Sequence, residues 1–286
     1  MNYTYELAIK AKNEVKRGKK PSDLNRVPEY EYDTDNSTTI ETSSDFDRWG
    51  QYHFHRNLEL LFVTVGHKIF YLNEKKYVLH ENEAIIIESF VAHLAIPDNE
   101  NSRQYLIKLP HHYSTMFSSY MRGKKLKTPI IPKEKAIELK SYFEVICKDA
   151  NNLNPILLHA NINYLLGKIV DICGTEPNQI TLPYEKIEKI IDYINDNYQS
   201  DINLKKLAEH FNYSPYHFSR IFNNIFHIGI PEYISYVRLA NTIETFISKD
   251  ISVMDAAYYN GFQSMQTFYR IFHKYYGDIS IYNLKK

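Results

Sequence analysis

Two rhythms of apolar and polar positions divide the chain. From about Thr38 to Lys108 the apolar residues come in short runs: "LELLFVTVG" (58–66), "KIFYL" (68–72), "KYVL" (76–79), "AIIIES" (84–89) and "QYLIKL" (104–109). The runs are rich in Ile, Val, Leu, Phe and Tyr, and Asn, Glu and Gly separate them, as in strands joined by tight turns. Short strands this close, with no helix between them, predict an antiparallel sandwich or barrel. Over residues 133–172 the period becomes helical. Ala136, Leu139, Phe143 and Ile146 share one face, and Leu158, Ile162, Leu165, Ile169 and Ile172 share another, with "NNLNP" joining the two helices. The second stripe is apolar enough either to join this pair of helices to a second copy of the chain, the reading preferred, or to pack on its own barrel. "GTEPNQITLP" (174–183) then crowds Gly, Pro, Asn and Thr together as a linker does. Everything beyond it reads as helix. The predicted organisation is an N-terminal arm (1–37), a barrel (38–132), dimerisation helices (133–173), a linker (174–183) and an all-helical domain (184–286), an α+β multidomain fold.

The helical domain repeats itself. "SPYHFSRIF" (214–222) returns fifty positions later as "SMQTFYRIF" (264–272). Each copy opens on a serine able to cap free N–H groups, and Pro215 suits a first helical position. Helical periodicity puts Phe218, Ile221 and Phe222 on a buried face, and Tyr216, Ser219, Arg220 and Asn223 on an outward one. In the second copy Phe268, Ile271 and Phe272 are inward, and Gln266, Tyr269, Arg270 and His273 outward. A short helix precedes each copy, "LKKLAEHF" and "VMDAAYYNGF". Ala208 lies ten residues before Phe218 and Ala257 eleven before Phe268, so the second turn is one residue longer. Helix, tight turn and exposed polar helix, written twice, predict a tandem helix-turn-helix. One stripe of Phe and Ile alone would read as ordinary core; an arginine at the same outward place in both copies favours DNA reading. A single helix over 232–249, held by Ile234, Val237, Ile243 and Ile247, is expected to join the motifs.

With "YVRLANTIETFI" (236–247) between them and "AAYYNGFQSMQTFYRIFHKYYG" (256–277) as the second, these motifs resemble the DNA-binding domain of the AraC/XylS family of bacterial transcription regulators, from about residue 187 to 285. The resemblance implies double-stranded promoter DNA as partner. Tyr216, His217, Ser219, Arg220, Asn223, Gln266, Tyr269, Arg270, His273 and Lys274 would then meet bases or phosphates. It also implies a cupin-like sensor barrel that binds a small effector, a sugar among the candidates, together with a homodimer and contact with RNA polymerase. No cofactor and no enzymatic activity are expected.

Charge qualifies this picture. The 286 residues carry 34 Lys and Arg against 34 Asp and Glu. From Tyr184 onward eleven basic residues balance eleven acidic ones. Non-specific affinity through phosphate neutralisation is therefore expected to be weak, and specific contacts must carry more of the binding. Two cysteines, Cys147 and Cys173, are too few for a disulfide framework or thiolate metal site and read as buried thiols. The first thirty residues carry charges throughout with no apolar core of a signal peptide, and no uncharged stretch is long enough to span a bilayer. A cytoplasmic protein with no membrane partner is expected.

The first domain holds the most enzyme-like signal. "GQYHFHRNLELLFVTVG" (50–66) sets His53, His55 and Glu59 ahead of Gly66 and matches the first cupin motif, with His93 downstream near the place of a fourth ligand. Positions 53, 55 and 59 share strand parity and are expected to face one side. Three readings stand: an effector pocket made by His53, His55, Glu59 and His93, a divalent-metal site of the same residues as in a cupin metalloenzyme, and a structural cluster. Trp49 and Tyr52, with Phe54, could stack on a flat ligand or simply pack in the core. His67 and His80 read as scaffold.

Overall fold

The computed structural model describes residues 52–73, 75–97, 102–149, 152–178, 182, 184–226, 228–276 and 280–282, and the backbone of 29–30 and 39–41. Trp49 and nearly all of the expected arm lie outside the described residues. The chain divides between Tyr184 and Glu185 into two compact units.

In the first unit two five-stranded sheets face each other as a cupin-like barrel. One has the order β1 (Glu29–Tyr30), β3 (His53–Phe54), β8 (His93–Pro97), β5 (His67–Leu72), β6 (Lys75–His80). The other has the order β11 (Ile130–Ile131), β7 (Ala84–Ile87), β4 (Leu58–Val65), β9 (Arg103–Leu109), β2 (Thr39–Glu41). Strand β4 shows why the run "LELLF" is apolar without alternation. Leu58, Leu60 and Phe62 pack outward against three helices, α1 (His111–Tyr120), α2 (Lys133–Asp149) and α3 (Pro155–Cys173). Leu61 and Val63 pack inward with Phe70, Leu72, Leu79, Ile85 and Ile87, between the sheets. A strand covered on both faces reads as a continuous apolar run.

All five predicted runs fall in strands. The pattern missed β8, whose "HLAIP" is short and ends in proline. It also missed α1, "HHYSTMFSSY", which has no charged residue and whose N-cap Pro110 offers no side-chain bond. Within the stretch read as linker, β12 (Thr175–Pro177) pairs antiparallel with β10 (Lys124–Leu126).

The apolar stripe of α3 corrects one expectation. Asn154 caps this helix, its side-chain oxygen accepting from the Ile156 N–H at 2.8 Å, and Pro155 follows at the first helical position. Ile162, Leu165 and Ile169 are then fully buried against the helix-covered sheet of their own barrel, with Leu158 partly buried beside them. The sheet's outer face needs a cover, and this stripe supplies it, so it is not free to join two copies. What α3 leaves outward is Ile156, Leu157 and Tyr164. Among described helices α3 is also the one long and apolar enough to cross a membrane by composition, yet its apolar side is spent on this core. Burial pushes the thiols of Cys147 and Cys173 up to about 12, which suits inert core sulfur.

The second unit contains six described helices: α4 (Tyr184–Asn197), α5 (Leu204–His210), α6 (Pro215–Phe226), α7 (Ile230–Ser248), α8 (Val253–Tyr259) and α9 (Met265–Tyr276). The pairs α5–α6 and α8–α9 are the two helix-turn-helix motifs, and α7 joins them.

Replacing Leu165 by alanine is expected to lower the unfolding free energy by about 2–5 kcal/mol, the range for a fully buried leucine, and to leave molar mass unchanged. Urea denaturation and light scattering check this. A changed mass at unchanged stability would make the stripe an interface after all.

Candidate DNA-reading helices and barrel histidine cluster

The two motifs are built alike down to single hydrogen bonds. Helix α5 is capped by Asn203, whose side chain accepts from Lys206 N, and α8 by Ser252, whose side chain accepts from Asp255 N. Each helix ends in a left-handed residue, Asn212 (φ 60°) and Gly261 (φ 88°). Tyr213 N then bonds to Ala208 O at 2.8 Å, and Phe262 N to Ala257 O at 3.0 Å, a matched pair of Schellman closures. The second turn's extra residue is thereby located at Gln263, between the closure and the cap of the next helix. Ser214 and Ser264 cap α6 and α9, accepting from His217 N at 3.3 Å and Thr267 N at 3.2 Å.

The outward faces follow the periodicity closely. Tyr216 is 79% exposed, and His217, Arg220 and Asn223 are exposed beside it, with Ser219 half-buried. On α9, Gln266, Tyr269, Arg270 and His273 are exposed. Phe218, Phe222, Phe268, Ile271 and Phe272 are buried as expected, whereas Ile221 is only half-buried. Lys274 is otherwise engaged: its ammonium donates to Glu232 at the start of α7, and Tyr275 OH donates to the same carboxylate oxygen at 2.8 Å. Burial alone would raise Glu232, but these two donors hold its carboxyl below the usual range.

A junction that the sequence pattern did not reveal holds the motifs together. Arg238 of α7 donates through Nε to Tyr198 O at 2.7 Å and through Nη2 to Ser200 O at 2.8 Å, gripping the loop after α4. Tyr198 OH donates to Asn260 Oδ1 at 3.2 Å, and Asn260 Nδ2 donates to Thr245 Oγ1 at 3.0 Å and Ala256 O at 2.8 Å. Gly261 comes so close that a Cβ there would sit 2.8 Å from both Tyr198 O and Gln199 O. The first motif is tied to α7 by Phe222 and Phe226 against Tyr233, and the second by Leu239, Ile243 and Phe246. Ile247, expected among the anchors, is 46% exposed, because the helix turns Phe246 inward in its place. The "NG" at 260–261 was the available signal for this junction.

In the barrel the histidines converge, by a route other than shared strand parity. His53 and His93 are register partners on β3 and β8, so their side chains leave the same face of one sheet. The chain then bends through Arg56 and Asn57 and enters the other sheet, where Glu59 is the second residue of β4. The cluster therefore bridges the two sheets. His55 Nε2 lies 2.9 Å from Glu59 Oε1, and His93 Nε2 lies 3.6 Å from Glu59 Oε2. The ligand atoms of His53, His55, Glu59 and His93 all fall within 4.8 Å of one another. His55, Glu59 and His93 are 1%, 8% and 2% exposed. Burial drives His55 below its ordinary value; it would raise Glu59, but the charge and hydrogen bond of His55, with His93, hold that carboxyl well below the usual range.

Other polar side chains are buried in the same unit: Lys68, Gln104 and Lys108. Lys108 is the register partner of Glu59. Lys68, on the inward face with Phe70 and Leu72, donates to Gln104, and burial lowers its ammonium to about 7. These polar positions inside a barrel were not read from the sequence. Tyr52 is buried and Phe54 fully so, which is core packing. His67 and His80 are register partners at the far side of the first sheet, with rings 6.0 Å apart.

A small barrel domain followed by two linked helix-turn-helix motifs defines a two-domain helix-turn-helix protein. Residues 39–165 match the AraC-like ligand binding domain family, and residues 207–279 match a helix-turn-helix domain family. The two matches together take in well over half of the chain, which belongs to the AraC family of regulators. The lactose operon transcription activator of Staphylococcus xylosus is 24% identical over 148 residues, 49% of this chain and 52% of that protein. The HTH-type transcriptional regulator YbfP of Bacillus subtilis is 32% identical over 94 residues, 32% of each chain. The chain thus spans about half the length, or less, of the curated relatives it matches. Among solved structures, ToxT from Vibrio cholerae shares the fold with a TM-score of 0.52 at 13% identity, over 87% of this chain and 97% of its own.

Substituting Gly261 by alanine is expected to destabilise the C-terminal unit by more than the roughly 1–2 kcal/mol of left-handed backbone alone, because the new carbon meets backbone oxygens that cannot swing away. Gly123→Ala, also left-handed (φ +75) but with nothing within 4 Å of the added carbon, should lose only the backbone part. Thermal unfolding of both variants gives the comparison; equal losses would mean that the Tyr198–Gln199 backbone yields.

Proposed function

We propose that this chain is a ligand-responsive transcription regulator that binds promoter DNA through the exposed faces of α6 and α9. The observation that carries the reading is the matched pair of serine-capped helices, each presenting an arginine, Arg220 and Arg270, at the same outward position from one joined unit. Arginine is the residue best shaped to pair with a guanine edge or a phosphate, and flanking Tyr216, His217, Asn223, Gln266, Tyr269 and His273 add donors and acceptors at groove spacing. Lys274 is assigned to Glu232 and left out of the reading face.

The barrel domain is the sensor, and a small molecule its effector. A sugar is the narrower expectation, supported by the lactose operon activator among the relatives. A homodimer is expected to form through surface other than the buried α3 stripe; the outward Ile156, Leu157 and Tyr164 are what that helix offers.

Arg220→Ala and Arg270→Ala should each weaken specific binding by about 1–3 kcal/mol. Gel-shift titration would use DNA that the wild-type protein selects from a random pool, with unselected DNA as reference. Wild-type affinity for the selected DNA in both variants would remove the recognition-helix assignment. Because basic and acidic residues balance in this unit, binding to the unselected reference should be weak at physiological salt.

A further inference from the structure

We propose that His53, His55, Glu59 and His93 hold one divalent transition-metal ion inside the barrel. The argument rests on where the imidazole protons must be. A backbone carbonyl can only accept a hydrogen bond. His93 Nδ1 lies 2.8 Å from Val91 O, and His55 Nδ1 lies 3.1 Å from Asn57 O, so both Nδ1 atoms carry hydrogen. In neutral rings this leaves the lone pairs on the two Nε2 atoms. Both Nε2 atoms point at the Glu59 carboxylate, which also only accepts. Three buried acceptors thus face one another.

A second proton on His55 would satisfy the 2.9 Å contact with Glu59 Oε1. It would still leave His93 Nε2, a buried atom with no hydrogen-bond partner, aimed at the same point. One cation between them satisfies all three groups at once, and His53 brings a fourth donor from the strand position opposite His93. Imidazoles locked by an Nδ1–H bond to a backbone carbonyl, with Nε2 turned inward, are the arrangement that fixes the tautomer of a metal-ligating histidine. Three nitrogens and a carboxylate oxygen suit zinc or another borderline first-row dication; calcium and magnesium prefer all-oxygen sites. The metal site is independent of DNA binding, because it lies wholly in the barrel unit and its test reads metal directly.

Untagged full-length protein, stripped with chelator and dialysed, would be titrated with Zn²⁺ by calorimetry, with Co²⁺ absorption reporting inner-sphere ligation. One ion per chain is expected, along with a rise in the thermal midpoint of the barrel as ion is added. His93→Ala and Glu59→Gln should each weaken binding at least about 100-fold, the upper end of what losing an outer-shell partner does. Glu59→Gln preserves volume and keeps the test decisive if His93→Ala folds poorly. A His67→Ala/His80→Ala double variant should bind like wild type. Folded wild-type protein that takes up no Zn²⁺ or Co²⁺ would overturn the proposal. So would wild-type affinity in Glu59→Gln, or loss confined to the His67/His80 variant.

Discussion

The arrangement of the C-terminal unit hangs on two backbone carbonyls. Tyr198 O and Ser200 O are gripped by the Arg238 guanidinium, and Tyr198 O and Gln199 O lie where any side chain at position 261 would collide. A planar guanidinium with two fixed donors sets direction as well as distance. The loop after α4, the middle of α7 and the turn of the second motif are therefore one packed junction. Asn260, almost wholly buried, spends its side-chain oxygen and both hydrogens there, on Tyr198, Thr245 and Ala256. With aromatic contacts from the first motif at one end of α7 and the Glu232 pair with α9 near the same end, the connector has no slack to give. The two outward faces, of α6 and α9, are thereby carried on one packed unit.

The barrel obeys a different constraint. Strand β4 is covered on both faces, by helices outside and by the opposite sheet inside, and this fixes which of its residues turn inward. Glu59 is the first inward position of that strand, and it arrives beside His53 and His93 of the facing sheet and His55 of the segment between β3 and β4. A carboxylate in an apolar barrel needs partners or it would take up a proton. Here it has them. The same covering explains why the stripe of α3 is spent: the outer face of the sheet that carries Glu59 is closed by Ile162, Leu165 and Ile169.

Much of this was legible in the sequence because it depends on local pattern. The five strand runs, the two helices over 133–173 and the repeated "SxxxFxRIF" helices show their periods within a few residues, and capping serines and an Asn–Gly turn mark their ends. What the pattern could not give was any feature decided by what lies opposite. The α3 stripe reads equally well as a dimer face or as the cover of a sheet; only the sheet's position decides. Ile247 falls on the periodic face of α7, but Phe246 is the side chain that reaches the second motif. Residues 53, 55 and 59 share parity, yet the bend at Arg56–Asn57 moves Glu59 to another sheet and still brings it to the histidines. Lys68, Gln104 and Lys108 stand in apolar strands and gave no sign that they point inward.

The central claim is that two DNA-reading helices act at one fixed separation. Helix α7 has 19 residues, hence about 28 Å at about 1.5 Å per residue, and successive major-groove turns on one face of B-DNA lie about 34 Å apart. With the offset of each motif from the connector's ends, a rigid α7 can set that separation. The most direct measurement is a gel-shift titration on three versions of a footprinted site: native spacing between the two sub-sites, about 5 base pairs inserted, and about 10 inserted, a half and a full turn of the duplex. Most of the specific affinity should be lost at the half turn and should not return at the full turn, because the connector cannot lengthen. Equal binding at all three spacings would mean that one motif alone reads DNA, and recovery at the full turn would mean that the junction is a tether.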